Sequence, residues 1–295
     1  MDEFTGIFPA MLTPLDEEGN PAHQVAERLI DALIEDGADG LYLLGSTGIG
    51  PLLNSDERKQ LLETAVSAVG GRVPLIVHVG ANSTGESIEL AKHAKHAGAD
   101  AISSVGPIYY PHTTETVFTH YRRIGECTDL PFFPYHLQNT SSLTLPVEQF
   151  ANEIANLPNV VGMKFTSLDV YQMGRIKSAL PDEFLLFSGA DEVLCHALLS
   201  GATGAIGSYY NLFAGACRRA RTRCESGDIA FATDFMMTFQ DIIAQTVSDL
   251  WGFMRIALQI NYDLDIGNPR PPLIGSPQDW SHERVRTLID KLRSL

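Results

Sequence analysis

Cysteine and long apolar runs are both scarce in this chain of 295 residues. The four cysteines stand at positions 127, 195, 217 and 224 without a CxxC pair or a zinc-ligand spacing. This arrangement predicts reduced thiols and no disulfide framework. No apolar run reaches the length needed to cross a bilayer, and the N-terminus lacks the basic segment of a signal peptide. We therefore expect a cytoplasmic protein that has no membrane partner.

Positive charge is also in short supply. Lysine and arginine total 21 against 36 aspartates and glutamates, which gives a net charge of −15. This balance excludes nucleic acid and anionic membrane surfaces as expected partners. It leaves small anionic substrates open, because hydroxyl groups, backbone N–H groups and one lysine are enough to bind a carboxylate. The apolar content of 44% is typical of a globular protein with a large core.

Short apolar segments alternate with helical patterns along most of the chain. Eight strands are predicted, at residues 6–12, 40–45, 75–80, 101–106, 131–135, 160–164, 184–188 and 205–208. A Gly-Ala repeat at 37–40, 98–101 and 201–204 joins a helix end to a strand start, with glycine as the left-handed cap. The pattern predicts a (β/α)₈ TIM barrel. A doubly wound sheet is the alternative, but it needs fewer strands and the chain lacks its GxGxxG fingerprint.

Four further helices are predicted towards the C-terminus, at residues 212–226, 228–247, 250–262 and 281–293. The barrel is therefore expected to occupy residues 1–225. Residues 226–295 are expected to form a C-terminal helical extension of the same compact domain, since no linker-like stretch separates the two parts.

Lys164 follows the apolar run 160–163, where a charged side chain is unusual. Such a lysine either extends from a sheet edge into water or is held partly desolvated. Desolvation lowers the pKa of an amine, and a neutral amine can attack a carbonyl carbon to form a Schiff base. In a (β/α)₈ barrel the active site lies at the carboxyl ends of the strands, which is where Lys164 is predicted.

Three features resemble the pyruvate-dependent class I aldolases of the dihydrodipicolinate synthase/N-acetylneuraminate lyase superfamily: the turn 45–48, the isolated Tyr135, and Lys164. The turn reads Gly-Ser-Thr-Gly. The segment 164–173 is similar to the K-x-T-S-x-D-x-Y-Q-M segment of N-acetylneuraminate lyases. The same subfamily is matched at residues 189–192 and 204–211, and the whole resemblance spans residues 4–265.

The resemblance implies a role for each matching residue. Lys164 would form the Schiff base, and Tyr135 would relay the proton of the C4 hydroxyl group. Ser46 and Tyr109 complete the implied catalytic set, with Tyr109 crossing a dimer interface towards a neighbouring site. The implied substrate-binding residues are Ser46, Thr47, Thr166, Gly189, Asp191, Glu192 and Ser208.

The resemblance also implies the ligands and the assembly. The substrates would be pyruvate and a 2-oxo sugar acid, and the protein would be a homotetramer built as a dimer of dimers. No cofactor is expected, because the substrate itself forms a Schiff base with Lys164. No metal is expected either, since His93 and His96 have no third ligand nearby in the sequence.

The chain departs from the family's pattern at three places: Ile49 replaces a glutamate, residues 136–138 replace Asn-x-Pro, and Ala190 replaces an aromatic residue. A 2-keto-3-deoxy sugar acid aldolase or dehydratase therefore stays open as an alternative. Dihydrodipicolinate synthase carries an arginine shortly after the strand-5 tyrosine, and residues 138–142 contain none. A non-catalytic ligand-binding barrel would be favoured only if Lys164 or Tyr135 were missing.

Overall fold

The computed structural model of the protein describes residues 3–110, 112–137 and 145–295. Within these residues eight strands form one parallel sheet: β1 Gly6–Pro9, β2 Leu41–Leu43, β3 Leu75–His78, β4 Ala101–Val105, β5 Phe132–Leu137, β6 Gly162–Thr166, β7 Leu185–Ser188 and β8 Gly204–Gly207. The helices between and after them are α1 His23–Glu35, α2 Ser55–Val69, α3 Thr84–Ala97, α4 Thr114–Gly125, α5 Val147–Ala155, α6 Val170–Ala179, α7 Leu194–Leu199 and α8 Tyr210–Glu225.

The sheet closes on itself. Each strand from β2 to β7 pairs in parallel with the next strand along the chain, and β8 pairs with β1 from Gly6–Gly204 to Pro9–Gly207. A bridge between Ala10 and Tyr42 joins the end of β1 to β2. This arrangement confirms the predicted (β/α)₈ barrel and excludes the doubly wound sheet.

Two strand ends differ from the prediction in a way that affects the site. The strands predicted to end at Tyr135 and Lys164 each continue for two more residues, to Leu137 and Thr166. Lys164 is therefore the central residue of β6 and does not end the strand. Phe165 and Thr166 have high strand propensity, and β6 stays paired with both of its neighbours at Lys164.

The barrel interior is filled largely by aromatic rings. Phe8 and Phe133 both pack edge-on against Phe187, with ring centroids 5.1 and 5.6 Å apart. Tyr42 belongs to the same buried cluster, nearer the carboxyl ends of the strands. The larger core lies outside the strands, where the apolar faces of the helices cover the sheet. The site residues at the strand ends therefore stand on a rigidly packed base.

The predicted C-terminal helical extension is present as α9 Ile229–Thr246, α10 Leu250–Tyr262 and α11 His282–Arg293. Asp249 links two parts of this extension. Its carboxylate caps the first turn of α10 and accepts a hydrogen bond from the indole of Trp280, which precedes α11, at 2.8 Å. Among the described residues, no helix is both long and apolar enough to cross a membrane.

Candidate active site

Lys164 places its amine in a cage between two aromatic rings. The Nζ atom lies 4.5 Å from the ring centroid of Tyr42 and 4.4 Å from that of Tyr135. The residue is only 6% exposed. Burial lowers the pKa of the Lys164 amine to about 7, and the charge of Asp191 partly opposes that fall. A substantial fraction of the amine is therefore neutral, and nucleophilic, near neutral pH.

Tyr135 lies next to Lys164 in the sheet, because the two residues are register partners across β5 and β6. Its phenol oxygen accepts a hydrogen bond from the Thr166 hydroxyl at 3.3 Å. Burial raises the pKa of the Tyr135 phenol, and hydrogen bonds with the Thr166 and Ser46 hydroxyl groups oppose that rise. The phenol is thus held, protonated, beside the amine and between two hydroxyl groups.

A strained turn carries Ser46 and Thr47 at the end of β2. Leu44 and Ile49 bracket it with φ values of 62° and 48°, in a left-handed region that branched side chains rarely adopt. At Gly45 a Cβ atom would lie 2.6 Å from the Tyr42 ring, so the turn needs glycine there. Ser46 is exposed and Thr47 is half-buried, and both hydroxyl groups stand at the mouth of the barrel.

Thr47 is joined, across the end of β1, to the turn after β8. Its hydroxyl oxygen lies 2.7 Å from that of Ser208, which follows β8. The Asp191 carboxylate accepts the backbone N–H of Ser208 at 3.0 Å and that of Tyr209 at 3.4 Å. Asp191, Ser208 and Thr47 therefore form one connected hydrogen-bonded network.

Asp191 is itself buried, with 6% of its surface exposed. Burial and then the neighbouring charge of Glu192 raise the pKa of the Asp191 carboxyl to about 7, while the two N–H groups oppose the rise. Its contacts hold the turn after β8. The predicted role of Asp191 in substrate binding stays a prediction. Glu192 is half-buried, and its backbone carbonyl accepts the Gln240 amide at 2.6 Å.

Gly189 has no side chain, which lets Thr166 and Lys164 approach the end of β7 closely. A Cβ atom there would lie 1.8 Å from Thr166 Oγ1 and 2.9 Å from Lys164 Cε. Tyr109 lies farther out, in the segment after β4, where it is 76% exposed and packs edge-on against Tyr110 with ring centroids 5.1 Å apart. The structure thus brings Lys164, Tyr135, Thr166 and Gly189 together, and it places Tyr109 on the surface of the single chain.

Two site residues were missed by the sequence reasoning. Tyr42 lies within a three-residue strand, and only barrel closure shows that its ring faces Lys164. Asn211 is fully buried, where its amide donates to the carbonyls of Ala10 and Ser208 and its oxygen accepts the Leu12 N–H. A polar residue in the matched segment 204–211 was the available signal for Asn211. It ties the end of β1 to the turn after β8.

No group of three or more His, Cys, Asp or Glu side chains suited to a metal ion occurs in the described parts of the chain. The amine, the phenol and the hydroxyl groups are the reactive groups of this face. They suit a reaction in which a carbonyl carbon is bound covalently and a proton is moved.

Residues 3–291 match the Dihydrodipicolinate synthetase family. The protein belongs to this family. Three solved structures show the same fold over nearly all of both chains. N-acetylneuraminate lyase from Mycoplasma synoviae is 28% identical, with a TM-score of 0.91 and 99% of each chain covered.

The second similar structure is the Ruminococcus gnavus sialic acid aldolase, 27% identical with a TM-score of 0.92, covering 99% of this chain and 98% of that one. A catalytic lysine mutant of that aldolase has also been solved. The third is a prophage protein of the dihydrodipicolinic acid synthase family from E. coli K12, in complex with pyruvate. It is 26% identical, with a TM-score of 0.89 and coverage of 98% and 99%.

The structure locates the departures from the pattern of the dihydrodipicolinate synthetase family. Ile49 is buried and lines a small cavity together with Leu12, Trp251 and Ile266. His136 packs outside the barrel, with its ring stacked 5.3 Å from Phe165. Gln138 and the rest of the segment 138–142 lie outside the described residues. Ala190 is buried at the mouth.

Proposed function

We propose that this member of the dihydrodipicolinate synthetase family is a Schiff-base aldolase that reversibly cleaves N-acetylneuraminate to N-acetylmannosamine and pyruvate. The observation that carries the proposal is the buried amine of Lys164, with its pKa lowered to about 7, directly beside the Tyr135 phenol. Amines in that state form Schiff bases at neutral pH.

In the proposed reaction, Lys164 Nζ attacks the C2 carbonyl carbon of the open-chain sugar acid, and water leaves to give a protonated iminium. The Tyr135 phenol gives its proton to the departing water, and the resulting phenolate accepts the proton of the C4 hydroxyl group as the C3–C4 bond breaks. The bonding electrons move into the iminium to form an enamine. The aldehyde sugar departs. Protonation of the enamine at C3 and hydrolysis of the iminium then release pyruvate and the free amine.

The two ends of the substrate are assigned to different parts of the mouth. The pyruvyl carboxylate is expected at Ser46 and Thr47, whose turn offers hydroxyl groups and backbone N–H donors. The polyol and N-acetyl end is expected at Thr166, Gly189, Asp191, Glu192 and Ser208. The similarity to two sialic acid-cleaving enzymes supports this choice of sugar.

One observation favours a second candidate. Asp191 is only 6% exposed, and its Oδ2 atom accepts two backbone N–H groups of the turn after β8, so little of the carboxylate is accessible to a long polyol. A shorter 2-keto-3-deoxy sugar acid would need fewer partners at this end. The assay is therefore pyruvate release from a panel of sialic acids and 2-keto-3-deoxy sugar acids, with the highest kcat/KM expected for N-acetylneuraminate.

The Schiff base itself is tested by reducing the protein with borohydride in the presence of pyruvate. The adduct is expected on Lys164 alone among the six lysines of the chain. Lys164→Ala should lose the adduct and turnover, whereas the surface variant Lys95→Ala should retain both. We also infer that no metal takes part, so a chelator should leave activity unchanged. An adduct on another lysine, or inhibition by the chelator, contradicts the proposal.

A further inference from the structure

Tyr42 forms the second wall of the cage around the Lys164 amine. Its ring is fully buried, and its centroid is as close to Nζ as that of Tyr135, at 4.5 against 4.4 Å. The Tyr42 hydroxyl donates to the Ser103 hydroxyl oxygen on β4 at 3.0 Å, which fixes the ring's orientation. The same ring also supports the turn that carries Ser46, through its contact at Gly45.

The surroundings of the two rings differ in the chemistry they allow. The Tyr135 phenol oxygen accepts a hydrogen bond from the Thr166 hydroxyl at the mouth of the barrel, so the phenol proton of Tyr135 can reach a substrate. Tyr42 lies deeper, and burial raises the pKa of its phenol far above its usual range. Tyr42 therefore keeps its proton and transfers none during turnover. What Tyr42 offers Lys164 is the face of its ring, which attracts a cation electrostatically.

A cation forms at this position during Schiff-base chemistry. The amine must be neutral to attack, but the iminium that follows is positively charged until the carbon–carbon bond breaks. An aromatic face in a water-excluded site stabilises the iminium more than the neutral amine, which is the condition for a catalytic contribution. The charge of Asp191 acts on the Lys164 amine in the same direction.

We propose that Tyr42 is a positioning residue for Lys164, whose ring face holds the amine against Tyr135 and stabilises the protonated iminium, with Ser103 fixing the ring. This inference rests on the proposed Schiff-base function. It assigns a reaction role to a residue that otherwise belongs to the barrel core, and it predicts that the aromatic ring is needed and the phenol oxygen is not.

The test compares two variants. Tyr42→Phe keeps the aromatic ring, whereas Tyr42→Leu keeps an apolar side chain and loses the ring. The pyruvate concentration that gives half-maximal borohydride trapping is measured for each. Tyr42→Phe and Ser103→Ala should shift it by no more than about threefold. Tyr42→Leu should raise it by about tenfold or more, the upper range for a desolvated cation–ring contact. Phe4→Leu, another ring loss in the barrel interior, should leave it unchanged.

Each outcome bears on a different claim. If borohydride traps no pyruvate adduct on the wild-type protein, the Schiff-base function is rejected. Normal trapping by a folded Tyr42→Leu protein, or equal losses in Tyr42→Leu and Tyr42→Phe, rejects the role of the ring. If Tyr42→Leu does not fold, Tyr42→Met replaces it under the same criteria, because an unbranched thioether fills irregular core space. Thermal unfolding of each variant separates packing loss from loss of trapping.

Discussion

The hydroxyl oxygens of Thr47 and Ser208 lie 2.7 Å apart, although 161 positions separate the two residues in the sequence. Thr47 follows β2 and Ser208 follows β8, so the contact spans the end of β1, which lies between them. Ser208 is also held through its backbone by the Asp191 carboxylate. A residue assigned to the sugar end of the substrate is thereby in direct contact with the turn assigned to the pyruvyl carboxylate.

Loss of this contact should weaken pyruvate binding. Ser208→Ala leaves the Thr47 hydroxyl without its partner, and the expected loss is about 1 kcal/mol, or about fivefold in the trapping concentration. Thr47→Val should cost a similar amount. The double variant should bind pyruvate no more weakly than the weaker-binding single variant, because both substitutions remove the same hydrogen bond. Additive losses in this double-mutant cycle would show that the two hydroxyl groups act independently.

The buried amine should make stability depend on pH. The pKa of Lys164 falls from 10.5 unfolded to about 7 folded, so the unfolded chain binds the extra proton between these values. Stability therefore rises with pH from about 7 towards 10.5. Below about pH 7 both states are charged, and burying the ammonium costs up to about 5 kcal/mol.

Lys164→Met removes this cost. The variant should be more stable than the wild type at about pH 6, and the difference should shrink as pH rises towards 10.5. Urea unfolding midpoints at several pH values measure it, with Lys95→Met on the surface as the control. A stability difference that stays constant with pH would mean that the Lys164 amine is not desolvated.

Gly189 should tolerate no side chain. Its Cβ would collide with Thr166 Oγ1 and Lys164 Cε, so Gly189→Ala must displace one of the two site residues. We expect a loss of about 1–3 kcal/mol in stability and at least a tenfold weaker pyruvate adduct. Gly174→Ala, in the middle of α6 with its nearest contact at 3.9 Å, should fold and react normally. Normal trapping by Gly189→Ala would contradict the close packing.

The exposed Tyr109 leads to a prediction about assembly. We propose a homotetramer, a dimer of dimers, in which Tyr109 reaches the site of the neighbouring subunit. Tyr109→Ala should then slow turnover by about 10²-fold, as expected for a lost proton-transfer partner. Mixing this variant with Lys164→Ala should restore part of the activity, since some sites receive both residues. Light scattering that finds a fully active monomer of 32.2 kDa would overturn the proposal.

The strands and the central pair of the site were accessible from the sequence because their signals are local. Gly37, Gly98 and Gly201 all adopt the left-handed conformation expected of glycine between a helix and a strand. Neighbouring parallel strands then place Tyr135 beside Lys164. Contacts that depend on how the barrel closes were not accessible. The ring of Tyr42 over the amine and the hydroxyl contact between Thr47 and Ser208 both depend on closure.

The barrel is closed unevenly. In the described residues a ladder of paired residues joins every neighbouring pair of strands except β1 and β2, which meet at the single bridge Ala10–Tyr42 and the Met11 N–H bond to the Tyr42 carbonyl at 2.9 Å. Native-state opening begins where backbone pairing is sparsest, so amide exchange should be fastest along this seam. Tyr42 lies on the seam. Opening there dismantles the amine cage while the other strands stay paired, and in rising urea the Schiff base should therefore disappear before the helices unfold.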